Sequence, residues 1–397
     1  MPPGWRYGYL LEVIDISRRL VVTCRLRWLF LNVQYPTWIF FSSLTACFFF
    51  FLANMTKILS RRFSLPEPER TRLRLLPVFL PFAGCPGRCV FCDQHAQTGL
   101  EGCGLEKSLE DLGRRLDTEK GPYALGFFGG TFTGLDPDWQ DRFLDLAAGF
   151  AGPDGLVHVR VSTRPDRIDP ETLERLGAKG VDMVEVGVQS FASEVLAASS
   201  RGYDGALAAD ACAMVRRSGL ELGVQLLPGL PGHDARLWRD DVRRTLALSP
   251  GVVRIYPCVV VRGTGLADMH RRGEYAPWNL DETVEECGWA VLEFWKQGVR
   301  VIRLGLAGER GLLERLLAGP WHPAFGNMVR STALRLFLEE RLAGRPGRVK
   351  RIFLPARCNG ELWGHDRAGA PALARLGIVR ENVNFWSESD IVVEWEE

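Results

Sequence analysis

The chain has 397 residues, enough for one large domain and an appendage. Lys and Arg number 49 against 48 Asp and Glu, so the net charge of +1 excludes an overall field that would draw the protein to nucleic acid or to acidic surfaces. Hydrophobic residues make up 46%, as in an ordinary globular protein. The ten cysteines show no paired framework, which predicts a reducing, cytoplasmic compartment.

Residues 1–60 are predicted to be an N-terminal extension. No charged residue lies between Arg27 and Lys57, and Trp38–Ala53 is almost wholly apolar, near the lower length limit of a membrane span. One interpretation is therefore a membrane-spanning or interfacial segment at 38–53, which alone would make the membrane a partner. The others are upstream sequence translated ahead of a start at Met55, and a processed targeting segment.

Short apolar runs then alternate with amphipathic segments, the pattern of βα units with a parallel sheet. The predicted strands are Leu75–Phe82, Tyr123–Phe128, Val157–Ser162, Met183–Val188, Leu220–Leu226 and Val252–Val259. The predicted helices include Leu105–Leu116, Pro137–Phe150, Pro170–Ala178, Gly205–Arg217 and Ala235–Leu248. Six such units predict an α/β fold, a partial (β/α)6 TIM-like barrel, over residues 70–305.

Residues 306–397 are expected to form a small C-terminal α+β appendage. A helix at Asp281–Gln297 and a strand at Val299–Leu304 lead into it, and it contains predicted helices at Gly311–Leu317 and Asn327–Leu342 and predicted strands at Val349–Leu354 and Ile391–Trp395. Its basic run fits either RNA phosphates or a solvated helix end; the run comprises Arg341, Arg345, Arg348, Lys350 and Arg351.

The loop after the first predicted strand contains Cys85, Cys89 and Cys92 in a C-x3-C-x2-C spacing. This loop is too short to bury each thiol separately, so the three thiolates are expected to converge on one centre. Soft thiolate ligands select zinc or an iron–sulfur cluster. A structural zinc site needs a fourth ligand, with Cys103 and His95 as candidates, whereas three cysteines on a four-iron cluster leave one iron open.

Polar and glycine residues follow the carboxyl ends of the other predicted strands. In a barrel these ends meet at one rim, where sites are assembled. We therefore expect these residues to lie near the three cysteines. In chain order they are Gly129, Gly130 and Thr131 after the second strand, Ser162 and Arg164 at the end of the third, Gln189 after the fourth, Gln225 at the fifth and Tyr256 on the sixth.

The cysteine spacing, with Phe91 just before the last cysteine, resembles the signature of the radical S-adenosylmethionine (SAM) superfamily. The segments FGGTFTG, STRPDRI, EVGVQS, SSRGYD, GVQLLPGLPG and VRIYP run in the order seen in its Elongator-subunit-like branch. HPAFGNMVRS at 322–331 resembles the tail of the bacterial members. No acetyl-CoA-binding glycine pattern follows Leu304, so the resemblance is to members that lack the acetyltransferase domain.

The resemblance implies that Cys85, Cys89 and Cys92 hold a [4Fe-4S] cluster whose open iron binds SAM. It also implies a set of SAM contacts. Gly129 and Gly130, with Thr131 beside them, would let the backbone approach the SAM amino group. Gln189 would contact the ribose or carboxylate of SAM, and Arg201 would pair with the carboxylate. Ser162 and Gln225 stand where coproporphyrinogen-oxidising relatives carry acidic residues.

The function implied is reductive cleavage of SAM to a 5′-deoxyadenosyl radical, with an electron donor such as ferredoxin or flavodoxin. The resemblance favours a tRNA base as substrate, with tRNA as a partner. A radical SAM oxidoreductase acting on a small molecule or a porphyrin-like compound is the alternative. Two other classes also fit: a non-catalytic zinc-binding RNA adaptor and a membrane-tethered redox protein that depends on residues 38–53.

Overall fold

The computed structural model describes residues 58–70, 73–98, 104–344 and 348–396. The predicted membrane segment at 38–53, the start at Met55 and Cys103 lie outside the described residues. Within the described ranges, every helix is too short or too polar to cross a bilayer.

The strands of the described ranges alternate with helices through most of the chain. In order, the strands are β1 (Ile58–Ser64), β2 (Arg74–Phe79), β3 (Tyr123–Phe128), β4 (Leu156–Thr163), β5 (Met183–Gln189), β6 (Glu221–Leu226), β7 (Val252–Ile255), β8 (Val260–Val261), β9 (Arg300–Leu304), β10 (Leu316–Ala318), β11 (Arg348–Pro355), β12 (Val383–Trp386) and β13 (Asp390–Glu396).

The helices fill the connections. They are α1 (Gln94–Thr98), α2 (Leu105–Leu116), α3 (Pro137–Ala148), α4 (Pro170–Ala178), α5 (Ser193–Ala198), α6 (Gly205–Arg217), α7 (Ala235–Ala247), α8 (Gly265–Arg271), α9 (Leu280–Lys296), α10 (Arg310–Arg315), α11 (Phe325–Leu342) and α12 (Ala370–Arg375).

Seven parallel strands form an open, curled sheet in the order β2-β3-β4-β5-β6-β7-β9. The predicted α/β partial barrel is thus confirmed, with one strand more than the six expected. The seventh strand is the one predicted at Val299–Leu304, because α9 carries the chain back so that β9 pairs with β7. The predicted strands Leu75–Phe82 and Val252–Val259 end sooner, at Phe79 and Ile255.

Aspartate caps set the first residue of several outer helices. The carboxylates of Asp169, Asp204 and Asp234 accept hydrogen bonds from backbone amides three residues later, at 2.7, 2.9 and 2.7 Å. Each cap lies in the connection between the carboxyl end of a strand and the outer helix that follows it, with the short α5 placed before Asp204. The helices therefore start close to the rim and run down the outer face of the sheet.

A second, four-stranded sheet has the order β1-β13-β11-β12. It contains the strands predicted at Val349–Leu354 and Ile391–Trp395, and β11 and β12 run parallel. β1 pairs antiparallel with β13, from Ile58 opposite Glu396 to Ser64 opposite Asp390. The sheet of the C-terminal appendage therefore includes a strand that begins at the end of the segment assigned to the N-terminal extension, at Ile58, and continues beyond it to Ser64.

Part of the basic run in the appendage is neutralised within this sheet. Lys350 pairs with Glu396 at 2.6 Å, and Arg351 pairs with Glu394 at 2.8 Å. Arg345 lies outside the described residues. These pairs favour the solvated-face interpretation of the run over the RNA interpretation.

The connection between β1 and β2 is fixed by a buried carboxylate. Glu67 accepts hydrogen bonds from the guanidinium groups of Arg70 (2.7 Å), Arg330 (2.5 Å) and Arg357 (2.5 Å). Arg70 also pairs with Glu361 at 2.7 Å. This cluster holds the connection, α11 and the appendage together at the amino-terminal end of the barrel.

Candidate functional site

The cysteine loop follows β2 and lies at the carboxyl edge of the barrel sheet, as predicted. Cys89 is buried, and Cys85 and Cys92 are partly buried free thiols. Cys85 Sγ lies 3.2 Å from the hydroxyl of Thr131, in the loop after β3. The structure thus brings Thr131 to the cysteines.

The cysteine loop and the loop after β3 pack backbone against backbone. The amide of Thr131 donates to the carbonyl of Ala83 at 2.7 Å. A Cβ atom on Gly130 would lie 2.0 Å from that carbonyl oxygen, and one on Gly84 would lie 2.2 Å from the carbonyl oxygen of Thr131. Gly130 is therefore required by the packing of the two loops, whether or not it also contacts SAM.

We expect Gly130→Ala to destabilise the protein by about 1–3 kcal/mol, because the added methyl group must push the cysteine loop away from β3. The measurement is urea unfolding, together with iron content after reconstitution. Gly87→Ala is the matched control, since nothing lies within 4 Å of a Cβ there, in the same loop. Equal stability of the two variants would contradict the proposed close contact.

Arg201 lies against the cysteine loop. Only 5% of its surface is exposed. Its Nη1 donates to Cys89 Sγ at 3.1 Å, its Nε to the hydroxyl of Tyr203 at 2.8 Å and its Nη2 to the carbonyl of Gly187 at 2.6 Å. Burial opposes its charge, but Tyr203 and Cys89 outweigh burial and raise the pKa of Arg201 above its usual value. Arg201 therefore places a fixed positive charge beside a cysteine sulfur.

A second buried arginine lies at Cys89: Arg164, which was expected at the rim after the third predicted strand but was given no role from the sequence. Its Nη1 lies 3.7 Å from Cys89 Sγ, and its Nε and Nη2 pair bidentately with the carboxylate of Asp166 at 2.8 and 2.9 Å. Nη2 also donates to the carbonyl of Arg201. A signal for this ion pair was present in the segment STRPDRI, where the arginine precedes the aspartate by two residues.

Gln189, Ser162 and Gln225 lie on neighbouring strands at the same edge. Gln189 ends β5 with a φ of +69°, a strained conformation for a residue other than glycine. Ser162 accepts a hydrogen bond from Gln225 Nε2 at 3.0 Å. The structure therefore brings Ser162 and Gln225 into contact. Gly129, with a φ of +99°, begins the turn after β3.

Three charged residues cross the barrel interior below this edge, and we call them the barrel floor: Arg160 on β4, Glu185 on β5 and Arg254 on β7. Glu185 Oε1 accepts from Arg160 Nη1 at 3.3 Å and from Arg254 Nη2 at 3.2 Å. Sequence reasoning missed all three. The signal was a single charged residue in each of three otherwise largely apolar strands.

The barrel floor also reaches aromatic residues above it. Arg254 Nη1 donates to the hydroxyl of Tyr256 at 3.1 Å, and its guanidinium lies 4.6 Å from the ring centroid of Phe128. Phe79 faces the Phe128 ring at 6.1 Å between centroids. Polar and aromatic groups thus line the interior between the floor and the cysteine loop.

Comparison with protein families decides the class. The model of the radical SAM superfamily matches residues 79–244, and that of the radical SAM C-terminal domain matches residues 250–335. The chain belongs to the radical SAM superfamily. These matches confirm the superfamily that was expected from the cysteine spacing of this radical SAM enzyme.

Its relatives include proteins of the Elongator type. The chain is 26% identical over 264 residues to the tRNA uridine(34) acetyltransferase of Methanocaldococcus jannaschii, covering 55% of this chain and 49% of that protein. It is 26% identical over 203 residues to Elongator complex protein 3 of Saccharomyces cerevisiae, covering 46% of this chain and 36% of that protein. The chain thus spans about half, or less, of the length of these relatives.

A solved structure has a similar fold. The archaeal Methanocaldococcus infernus Elp3 with an N-terminal deletion superposes with a TM-score of 0.51 at 23% identity, covering 68% of this chain and 64% of that one. At this level of identity the likeness concerns the fold alone.

The superfamily implies a [4Fe-4S] cluster and SAM, and the cysteine loop fits a cluster. Burial, with the neighbouring thiols of Cys89 and Cys85, raises the pKa of the Cys92 thiol to about 12, so the three sulfurs lie within electrostatic reach of one another. Arg201 and Arg164 place two positive charges beside Cys89 Sγ, at 3.1 and 3.7 Å. The donor set, three thiols with two cations, suits an anionic iron–sulfur centre.

The described part of the chain has no group of three or more His, Cys, Asp or Glu side chains arranged around a single metal ion. A four-iron cluster binds each thiolate at a different iron, so its ligands need not converge on one point. His95, the candidate fourth zinc ligand, packs against the ring of Phe82 at 5.1 Å between centroids.

Proposed function

We propose that Cys85, Cys89 and Cys92 hold a [4Fe-4S] cluster, that SAM binds at the carboxyl edge of the barrel, and that the substrate is a tRNA base. When bound and reduced by a donor such as ferredoxin or flavodoxin, the cluster supplies the electron that cleaves SAM to methionine and a 5′-deoxyadenosyl radical, which removes a hydrogen atom from the substrate. The observation that carries the proposal is the burial of Cys89 between Arg201 and Arg164 within a three-cysteine loop.

The residues around the cysteines have separate tasks in this proposal. Arg201 and Arg164 stabilise the thiolate of Cys89 and shield it from water. Gln189, Ser162 and Gln225 offer amide and hydroxyl groups for the ribose and carboxylate of SAM. Arg201 already donates to Cys89, Tyr203 and Gly187, so a contact with the SAM carboxylate would use an N–H group left over from these bonds.

The choice of a nucleobase rests on the aromatic residues of the barrel interior. Phe79 is 37% exposed at the end of β2, an edge strand of the barrel sheet, and Phe128 is half-buried beside it. Aromatic side chains stack unpaired bases, and the base is the planar group that tRNA would present to such a site. The names of the tRNA uridine(34) acetyltransferase relatives point to the same class of substrate.

The test uses protein purified and reconstituted without oxygen, reduced with dithionite and mixed with SAM and with tRNA from cells grown in deuterated medium. We expect 5′-deoxyadenosine to form, to increase with tRNA and to carry deuterium. Without any 5′-deoxyadenosine the proposed chemistry fails. If it forms but carries no deuterium, the tRNA substrate is wrong and a porphyrin-like or other small substrate takes its place.

The aromatic residues provide a second readout. Phe79→Ala should lower the tRNA-dependent rate by roughly tenfold, since stacking one base on an aromatic ring contributes about 1–3 kcal/mol. SAM cleavage without tRNA should not change. Leu207→Ala, which removes an exposed apolar side chain from α6, is the control. An unchanged tRNA-dependent rate in Phe79→Ala would remove Phe79 from the substrate site.

A further inference from the structure

A large cavity lies on the opposite side of the barrel floor from the cysteines, and we call it the basal cavity. Its volume is about 570 Å³, within the range of small-molecule sites. It opens among the first residues of the barrel strands. Its lining there includes Leu75, Ala124, His158, Met183, Val252 and Arg300.

Positive charge inside the basal cavity exceeds the negative charge that faces it. Arg160, Arg254 and Arg300 line it from three strands, and Glu185 is the carboxylate that pairs with the first two. The half-buried side chain of Arg300 forms no ion pair with any residue in the described ranges. The single carboxylate of Glu185 thus faces three guanidinium groups, and two of the three positive charges are uncompensated.

Arg160 has a buried N–H donor that lacks an acceptor. Its Nε is buried and has no hydrogen-bond partner among the described residues. Burial and the neighbouring Arg254 and Arg300 act against its charge more strongly than Glu185 supports it, so the pKa of Arg160 is lowered from its usual value. A buried donor without a partner normally marks a missing acceptor.

The carboxylates around the basal cavity do not supply that acceptor. Glu67 is already occupied by Arg70, Arg330 and Arg357. Glu69 and Glu221 are exposed. The remaining lining includes further cationic side chains, among them Arg303 and Arg330, and the apolar side chains of Met183, Val252, Trp295 and Val301, which we call the apolar wall. The cavity thus offers cationic groups and apolar surface together.

We propose that the basal cavity binds a small organic phosphate, with the phosphate group on Arg160, Arg254 and Arg300 and the organic part against the apolar wall. A phosphate monoester carries two charges on one group and accepts the paired N–H donors of guanidinium groups. The proposed site is separate from the SAM site, because the barrel floor lies between them. A test of phosphate binding at this cavity therefore does not depend on whether the proposed radical SAM reaction is correct.

The test is calorimetric titration of the full-length reconstituted protein, with SAM present, using pyrophosphate, UMP and uridine. We expect pyrophosphate and UMP to bind with one equivalent and uridine to bind at least tenfold more weakly than UMP. Affinity should fall as salt is raised. Absence of binding by both phosphate probes at millimolar concentration would overturn the proposal.

Arg300→Gln should weaken UMP binding by roughly tenfold, the usual size of one hydrogen bond to a charged group. Arg300→Lys should retain an intermediate affinity, because it keeps the charge and loses the planar fork. Arg243→Gln, on the exposed face of α7, is the control and should bind as the wild type does. Equal affinities in Arg300→Gln and Arg243→Gln would place the binding elsewhere. Formation of 5′-deoxyadenosine should be the same in all three variants.

Discussion

Glu185→Gln is expected to lower the free energy of unfolding by about 3–5 kcal/mol, the cost of removing one partner from a buried ion pair. Glu185 is 1% exposed and is the carboxylate shared by Arg160 and Arg254. Without its charge, the two arginines would repel each other in the barrel interior. Urea unfolding of the reconstituted protein measures the change. Glu194→Gln on the exposed surface of α5 is the control, expected to change stability by less than about 0.5 kcal/mol.

A double-mutant cycle separates the charge effect from lost packing. In an Arg160→Met background, Glu185→Gln should cost less, because one of the two stranded charges is already gone. The same cost in both backgrounds would show that Glu185 contributes through packing rather than through its charge. Tyr256 provides a local check, because its hydroxyl accepts a hydrogen bond from Arg254. The positions of both side chains should change if the barrel floor is disturbed.

The triple replacement of Cys85, Cys89 and Cys92 by alanine is expected to abolish iron and sulfide binding and to reduce 5′-deoxyadenosine formation to background. A cluster cannot be retained without its thiolate ligands. Iron and sulfide analysis after reconstitution measures the first effect, and chromatography of the reaction products measures the second.

Cys212→Ala is the matched control for the loss of a thiol. Cys212 is buried in α6, and burial raises the pKa of its thiol to about 12, as in Cys92. Its replacement should leave iron content unchanged. Full iron binding by the triple variant would show that other residues hold the iron and would end the assignment of the three cysteines.

Local sequence signals were enough to predict several elements at their full length. β3, α4 and α6 have the bounds that were expected, because an apolar run or an aspartate cap marks where each begins. β1 had no such signal: ILSRRFS has little alternation, and its partner β13 lies more than 300 residues away. Pairing over that distance depends on the whole fold and not on local preference.

In the candidate site, too, some residues could be predicted from local sequence and others depend on the whole fold. The cysteines could be predicted because three thiols so close together have few other uses. The barrel floor could not, because a charged residue in a strand identifies itself as interior only when the neighbouring strands are in place. Arg201 was expected to face the SAM carboxylate, but the structure also shows its contact with Cys89. That contact joins residues 112 positions apart.

The pairing of β1 with β13 has a consequence for the order of folding. β1 is an edge strand whose neighbour in the sheet is β13. During synthesis the barrel strands can assemble through contacts between successive βα units while β1 waits for residues 390–396 to leave the ribosome. Until then β1 presents an open strand edge, which is prone to pair with other chains. β13 therefore both completes the small sheet and covers one of the two open edges of β1.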